Sequence, residues 1–239
     1  MKRIICIILV LVIGCSFISC SAQSDPISNQ TNTSTQTNTS TQIESLTQID
    51  DSLKKEEEFD AAKNAYNQLT VADACCALIM HSIYQAWYFT IYEEDDYYTF
   101  ESALPAFCNR TGLREDKVSV SVDKYLDESG MAKNTFTRYS VLAVASSAIE
   151  VVISVYKDAG MYSEVENLIN SAKESMKSVT AQYSDYTGYT TLKLYYSEIS
   201  SCLDFCKSPS GSFNQLRTTM NNYETNCRKY KNDLSFIFD

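Results

Sequence analysis

The residues best suited to chemistry in this sequence are its cysteines. Two of them, Cys15 and Cys20, stand in VIGCSFISCSAQ at 12–23, one preceded by Gly14 and the other by Ser19. A small residue followed by cysteine, just after an apolar run, is the junction at which a bacterial lipoprotein precursor is cut. The thiol there carries a diacylglycerol, and the new N-terminus is acylated. Cys20 is the preferred site because polar sequence begins directly behind it, with Cys15 as the alternative. An ordinary secretory cut near Ala22-Gln23 is the competing reading. Six further cysteines follow, Cys75, Cys76, Cys108, Cys202, Cys206 and Cys227. An even number in an exported chain suggests disulfides. Cys202 and Cys206 share a helical face with Ile199 and Leu203, so a bridge from the Cys75–Cys76 helix to that face is the favoured pairing. The alternative is a set of buried thiols acting as small hydrophobes. No pair has C-x-x-C spacing, so no metal site is expected.

Acid–base chemistry has little to work with. His81 is the only imidazole, and its neighbours Ala77, Leu78, Tyr84 and Gln85 describe a packed helix face. The run EEDD at 93–96 reads as a solvated turn rather than a tuned acid–base pair. There is no nucleophile elbow, phosphate-cradling glycine loop or zinc-protease helix motif. The expectation is a protein that is not an enzyme and uses no cofactor.

Binding is better supplied. In YQAWYFTIYEEDDYYTF, 84–100, Trp87, Tyr88, Tyr92, Tyr97, Tyr98 and Phe100 surround the acidic turn, and YSDYTGYTTLKLYY, 183–196, is a second concentration. Tyrosine offers large contact area at low entropic cost together with a polar tip. Most of these rings are expected to pack inside. Tyr97, Tyr98 and Tyr186, next to turn residues, are least explained by packing. With Glu93, Glu94, Asp95 and Asp96 they form the candidate partner-binding set, suited to a basic protein surface.

These groups need elements to carry them. Lys2 and Arg3 precede ten unbroken apolar residues, Ile4 to Ile13, a signal-peptide core too short to span a bilayer. Residues 1–19 are read as a lipoprotein signal peptide. From Cys20 to about 48 the chain is read as a disordered tether, with TNTSTQ occurring twice in succession at 31–42. Too few apolar side chains lie there to offset the entropy of ordering. Its root-mean-square reach is roughly 30 Å. Without Lys2 and Arg3 the chain holds 30 acidic and 18 basic residues, a net charge of −12. That argues against nucleic acid and against electrostatic adhesion to anionic lipid, leaving the lipid anchor as the membrane contact.

Residues 49–239 are read as one domain. Its glycines, Gly112, Gly130, Gly160, Gly188 and Gly211, separate segments of helical period. Ser163 and Glu166 behind Gly160, and Ser212 and Gln215 behind Gly211, have capping-box spacing. Phe213, Leu216, Met220, Tyr223, Cys227, Tyr230 and Leu234 alternate steps of three and four along a long C-terminal helix. Residues 51–69 and 71–92 make one long helix or two. The apolar stretch 139–156 is expected to be the central helix. KVSVSVDKY, 117–125, alternates like a strand but has no sheet to join, so a short helix or an extended connection is expected. The fold class is all-α, a multi-helix bundle.

With FISCSAQ, the Ser/Thr/Asn tether and an acidic helical body, the chain resembles the surface lipoproteins of Borrelia spirochaetes, in which phenylalanine three before the lipidated cysteine, as at Phe17, is common. Size and the long C-terminal helix make it similar to the factor H-binding lipoproteins of the relapsing-fever group. The resemblance implies anchoring in the outer membrane, exposure to host serum, and recruitment of complement factor H, with plasminogen as a further partner of some members. Alternatives are an adhesin for another serum or matrix protein, and a periplasm-facing structural lipoprotein or enzyme.

Overall fold

A computed structural model describes residues 39–93, 96–179 and 187–238, with side chains from Leu53 onward except that of Thr187. The leader with Cys15 and Cys20 therefore lies outside the described residues, as do Glu94, Asp95 and Tyr186. Among the described residues there are eight helices and no strand, the all-α architecture expected. They are α1 (Thr39–Tyr92), α2 (Phe100–Thr111), α3 (Glu115–Glu128), α4 (Thr135–Ala143), α5 (Ala145–Asp158), α6 (Met161–Lys177), α7 (Thr187–Lys207) and α8 (Phe213–Phe238). Leu46–Asp239 forms a compact unit, and all packing described below lies within it.

The helix α1 begins at Thr39, so the last ten residues assigned to the tether are helical. The sequence shows why: Ile43, Leu46, Ile49 and Leu53 recur at steps of three and four, which is helical spacing. Further along, α1 is the element around which the core is built. Leu69, Ile79, Met80, Ile83 and Phe89 are fully buried, and Ala65, Ala72 and Ala86 between them leave room for neighbouring helices. Its span Leu53–Tyr92 is long and apolar enough to cross a membrane, and half of the most apolar window is buried in the bundle.

The stretch 139–156 is not one central helix. It breaks at Val144, whose extended backbone (φ −104, ψ 125) separates α4 from α5 with a bend of 91°. The break is stabilised locally. The buried Ser147 hydroxyl donates to the Val141 carbonyl at 2.8 Å, a group that a continuous helix would have satisfied itself, and lies 3.1 Å from the Val144 carbonyl, which the Ala148 N–H already serves at 2.9 Å. The valine alternation at 117–125 resolves as helix: Val118 and Val122, one turn apart, are buried, while Val120 is exposed.

Glycine ends helices where the backbone turns left-handed. Gly112 (φ 75) donates its N–H to Cys108 O and stops α2. Gly160 (φ 75) is itself the residue preceding α6, which starts at Met161 without a side-chain cap. Ser163 and Glu166 therefore lie inside the first turns and form no capping box, and Glu166 instead pairs with Lys207. Gly188 is no separator either, being the second residue of α7. The box behind Gly211 does form: Ser212 N–H donates to Gln215 Oε1 at 2.6 Å, and Gln215 N–H to Ser212 Oγ at 3.3 Å.

Polar pins join the helices through the core. The Asp73 carboxylate of α1 accepts from Tyr223 of α8 at 2.6 Å and from Tyr195 of α7 at 2.9 Å. Ser82 of α1 donates to the Thr111 carbonyl at 2.8 Å and lies 2.8 Å from the Tyr156 hydroxyl of α5. Because the serine proton is used on a carbonyl, Tyr156 is the donor in that pair. Tyr162 of α6 donates to Cys206 O at 3.0 Å, and Tyr189 of α7 returns a bond to Met176 O at 3.1 Å.

The six cysteines among the described residues are free thiols, and the bridge expected between α1 and α7 is not formed. The expected neighbours nonetheless meet. Cys206 Sγ lies 3.9 Å from Cys202 Sγ and 3.9 Å from Cys76 O, and Cys76 Sγ is 4.0 Å from Ile199 O. A separation of 3.9 Å is well beyond the roughly 2.05 Å of a disulfide. Hydrogen bonding to Cys202 and burial push the Cys76 thiol up, and hydrogen bonding to Cys206 does the same to Cys202. Since thiolate is the form that reacts, this environment slows oxidation.

Candidate partner-binding surface

The acidic turn behind α1 is built from that helix's own end. Glu93 N–H still bonds to Phe89 O at 3.0 Å, and Asp96 N–H returns to Glu93 O at 3.2 Å. Thr99 then caps α2 in a reciprocal box with Ser102. Between these fixed points the candidate residues separate into two groups. Glu93 is committed to the fold: its carboxylate pairs with Arg110 of α2, whose guanidinium also lies 5.0 Å from the centre of the Tyr88 ring. Tyr97 is committed too, stacked on the buried ring of Phe89 at 5.8 Å. Phe107 packs edge-on against that same ring at 5.5 Å.

Asp96 and Tyr98 remain open. Tyr98 is 83% exposed, and the exposed Asp96 carboxylate has no hydrogen bond or ion pair among the described residues. At the end of α1, Tyr92 is 59% exposed while its ring touches Tyr88 at 4.6 Å. A further exposed ring lies on α4. Arg138 of α4 lies over Phe100 at 5.5 Å and bonds to Asp123 of α3 at 2.7 Å, which ties the start of α4 to the start of α2. Tyr98 stands two residues before Phe100, and Phe136 two before Arg138, so this contact joins the segments that carry the two rings. Phe136 is 72% exposed.

Sequence reasoning passes over Phe136 because it lies outside both aromatic concentrations, 84–100 and 183–196. The signal against burial is the box formed by Asn134 and Thr137, which places Phe136 in the first turn, before the packed part of α4. The second aromatic concentration, so far as it is described, is committed to packing: Tyr195 is fully buried and Tyr189 bonds to α6. Much of the first is as well, for Phe213 of α8 inserts among Tyr84, Trp87, Tyr88 and Tyr92 at 5.2–6.4 Å. His81 is exposed rather than packed, 3.4 Å from Gln85 Nε2.

The surface that results pairs uncovered rings with acidic groups on well-packed supports. It can supply apolar contact, phenol hydrogen bonds and attraction for cations. Among the described residues, no three His, Cys, Asp or Glu side chains are placed to hold a metal ion. In comparisons with known proteins, no family model, curated protein or solved structure matches this chain.

Proposed function

We propose that this chain is a surface-anchored lipoprotein that holds a host serum protein through the Tyr98–Phe136 end of its bundle. The observation carrying the binding role is that two large rings, Tyr98 and Phe136, are left 83% and 72% uncovered, with the exposed Asp96 carboxylate, unpaired among the described residues, two positions from Tyr98. Burying such a side chain is worth about 1.5–3 kcal/mol, so two of them left in solvent suit a surface that is covered in use. Complement factor H is the proposed partner because of the resemblance to factor H-binding lipoproteins, and plasminogen is second. Acylation of Cys20 and exposure on the outer membrane belong to the same reading.

The test is surface plasmon resonance of the purified chain against factor H, with a Tyr98→Ala/Phe136→Ala variant in parallel. Binding by the parent, weakened roughly 30-fold or more by the double change, is expected for hot-spot rings. An acidic surface meeting basic modules also loses affinity as salt rises. Absence of factor H binding at physiological salt removes that partner. Unchanged binding by the variant removes the surface.

A further inference from the structure

A groove of about 670 Å³ is lined by α3, α5, Trp87 of α1 and the 208–211 connection between α7 and α8. Volumes in this range are usual for small-ligand sites. Ile149 and Ile153, on the groove face of α5, give it an apolar lining. Trp87, the chain's only tryptophan, is set edge-on against Phe213 at 6.0 Å. Its indole N–H has no acceptor among the described residues.

The charges around this lining differ in how they are engaged. Lys124 is held by Asp158 at 3.1 Å, and Lys207 by Glu166. Glu150 and Lys157 are exposed and line the groove, but neither has an ion pair or hydrogen bond among the described residues. They stand seven residues apart on α5, two turns along one face, which separates them by about 10 Å. Glu128 of α3 adds a second carboxylate without a partner among those residues. A purely anionic ligand would meet these carboxylates, and a purely cationic one would meet the lysines. A ligand with both charges avoids each conflict if its charges are spaced like Glu150 and Lys157.

The geometry points to a short zwitterionic peptide of about three residues. Its ammonium faces Glu150, its carboxylate faces Lys157, and an apolar side chain lies against Ile149, Ile153 and Trp87. Extended residues advance about 3.3–3.6 Å each, so three match the separation and a single amino acid does not. The site is independent of the Tyr98–Phe136 surface, since the two share no residue.

Trp87 supplies the assay. The full-length chain is titrated with Ala-Leu-Ala bearing free termini, and with the same peptide acetylated and amidated. Trp87 fluorescence is followed, and calorimetry detects binding that is silent to the indole. The expected result is saturable binding of the free peptide, with the blocked form at least about tenfold weaker because it lacks both charges. Glu150→Gln and Lys157→Gln, both at exposed positions that leave the fold intact, each weaken the free peptide by about tenfold. The Tyr98→Ala/Phe136→Ala variant binds it like the parent. No saturable signal for the free peptide overturns the proposal, as does equal binding of the blocked peptide or indifference to both α5 substitutions.

Discussion

Asp73→Ala should be among the most damaging single changes available in this bundle. Asp73 accepts hydrogen bonds from Tyr223 at 2.6 Å and Tyr195 at 2.9 Å. Both donors are essentially removed from solvent, Tyr195 at 0% and Tyr223 at 3% exposure. With the carboxylate gone, both hydroxyls lose that acceptor, and the Asp73 carbonyl 3.4 Å from the Tyr223 hydroxyl, or water entering at this half-buried position, replaces it only in part. Leaving one buried polar group unsatisfied costs about 1–3 kcal/mol, so the pair sums to about 2–6 kcal/mol. That is a large share of the 5–15 kcal/mol typical of a domain. Asp73→Asn retains one acceptor oxygen and should cost roughly half as much. Urea unfolding followed by far-ultraviolet circular dichroism reads this directly, with the slope unchanged if the denatured state is unaffected. Combining Asp73→Ala with Tyr223→Phe should cost less than the two single changes added, since the second removes a hydroxyl that the first has orphaned. A loss below about 0.5 kcal/mol for Asp73→Ala, within the range of ordinary surface changes, would refute the reasoning.

Further outcomes follow from the same packing. Burial raises Cys108 from 9.0 to about 12 and Cys75 to about 11, and burial also holds the phenols of Tyr195 and Tyr223 above their ordinary value of 10. Below pH 9 these groups are protonated in both states; above it the unfolded chain ionises first, so stability falls as pH rises through the folded values. Each thiol that stays protonated in the fold while ionised in the unfolded chain contributes a slope of at most about 1.4 kcal/mol per pH unit, less for the half-buried Cys75, so the urea midpoint should be lower at pH 10 than at pH 8; equal midpoints contradict the burial. Thiol titration should find Cys75, Cys76, Cys108, Cys202, Cys206 and Cys227 unreactive in the native protein and all reactive in denaturant without reductant, and a shortfall of two would mean that a bridge had formed. Ser147→Ala removes the hydroxyl serving the Val141 carbonyl and should destabilise the chain by about 1 kcal/mol in the same urea assay; no change would mean that the bend is held by packing alone.

The parts of this fold legible in the sequence are those governed by local period. The stripe from Phe213 to Leu234 gives α8, with Leu216, Tyr223, Cys227 and Leu234 buried, and Ser212 with Gln215 marks its start. The approach of Cys76 to Cys202 and Cys206 was legible as well, because all three lie on apolar helix faces. Bonding between them was not, since small apolar side chains and bridged sulfurs obey the same pattern. Tertiary effects escaped the pattern. The break at Val144 is accompanied by Ser147 reaching back to the Val141 carbonyl, and a largely apolar run with scattered serines gives no sign of which one turns back. The missing box at Ser163 depends on Gly160 turning left-handed one residue before α6. At the candidate surface the acidic-aromatic turn was visible, but which residues stay open was not. Glu93 is neutralised by Arg110 and Tyr97 is covered by Phe89, through contacts with α2 and the core that linear spacing does not encode. Phe136 stands alone in the sequence, outside both aromatic concentrations, and nothing in linear spacing marks it as exposed.

The central claim is that the uncovered end of the bundle grips a serum protein. Surface plasmon resonance of the chain against complement factor H at physiological salt, with parent and Tyr98→Ala/Phe136→Ala forms side by side, tests it most directly. The account predicts saturable binding by the parent and a loss of roughly 30-fold or more in the variant. Equal affinity of the two forms, or no binding by either, would contradict it.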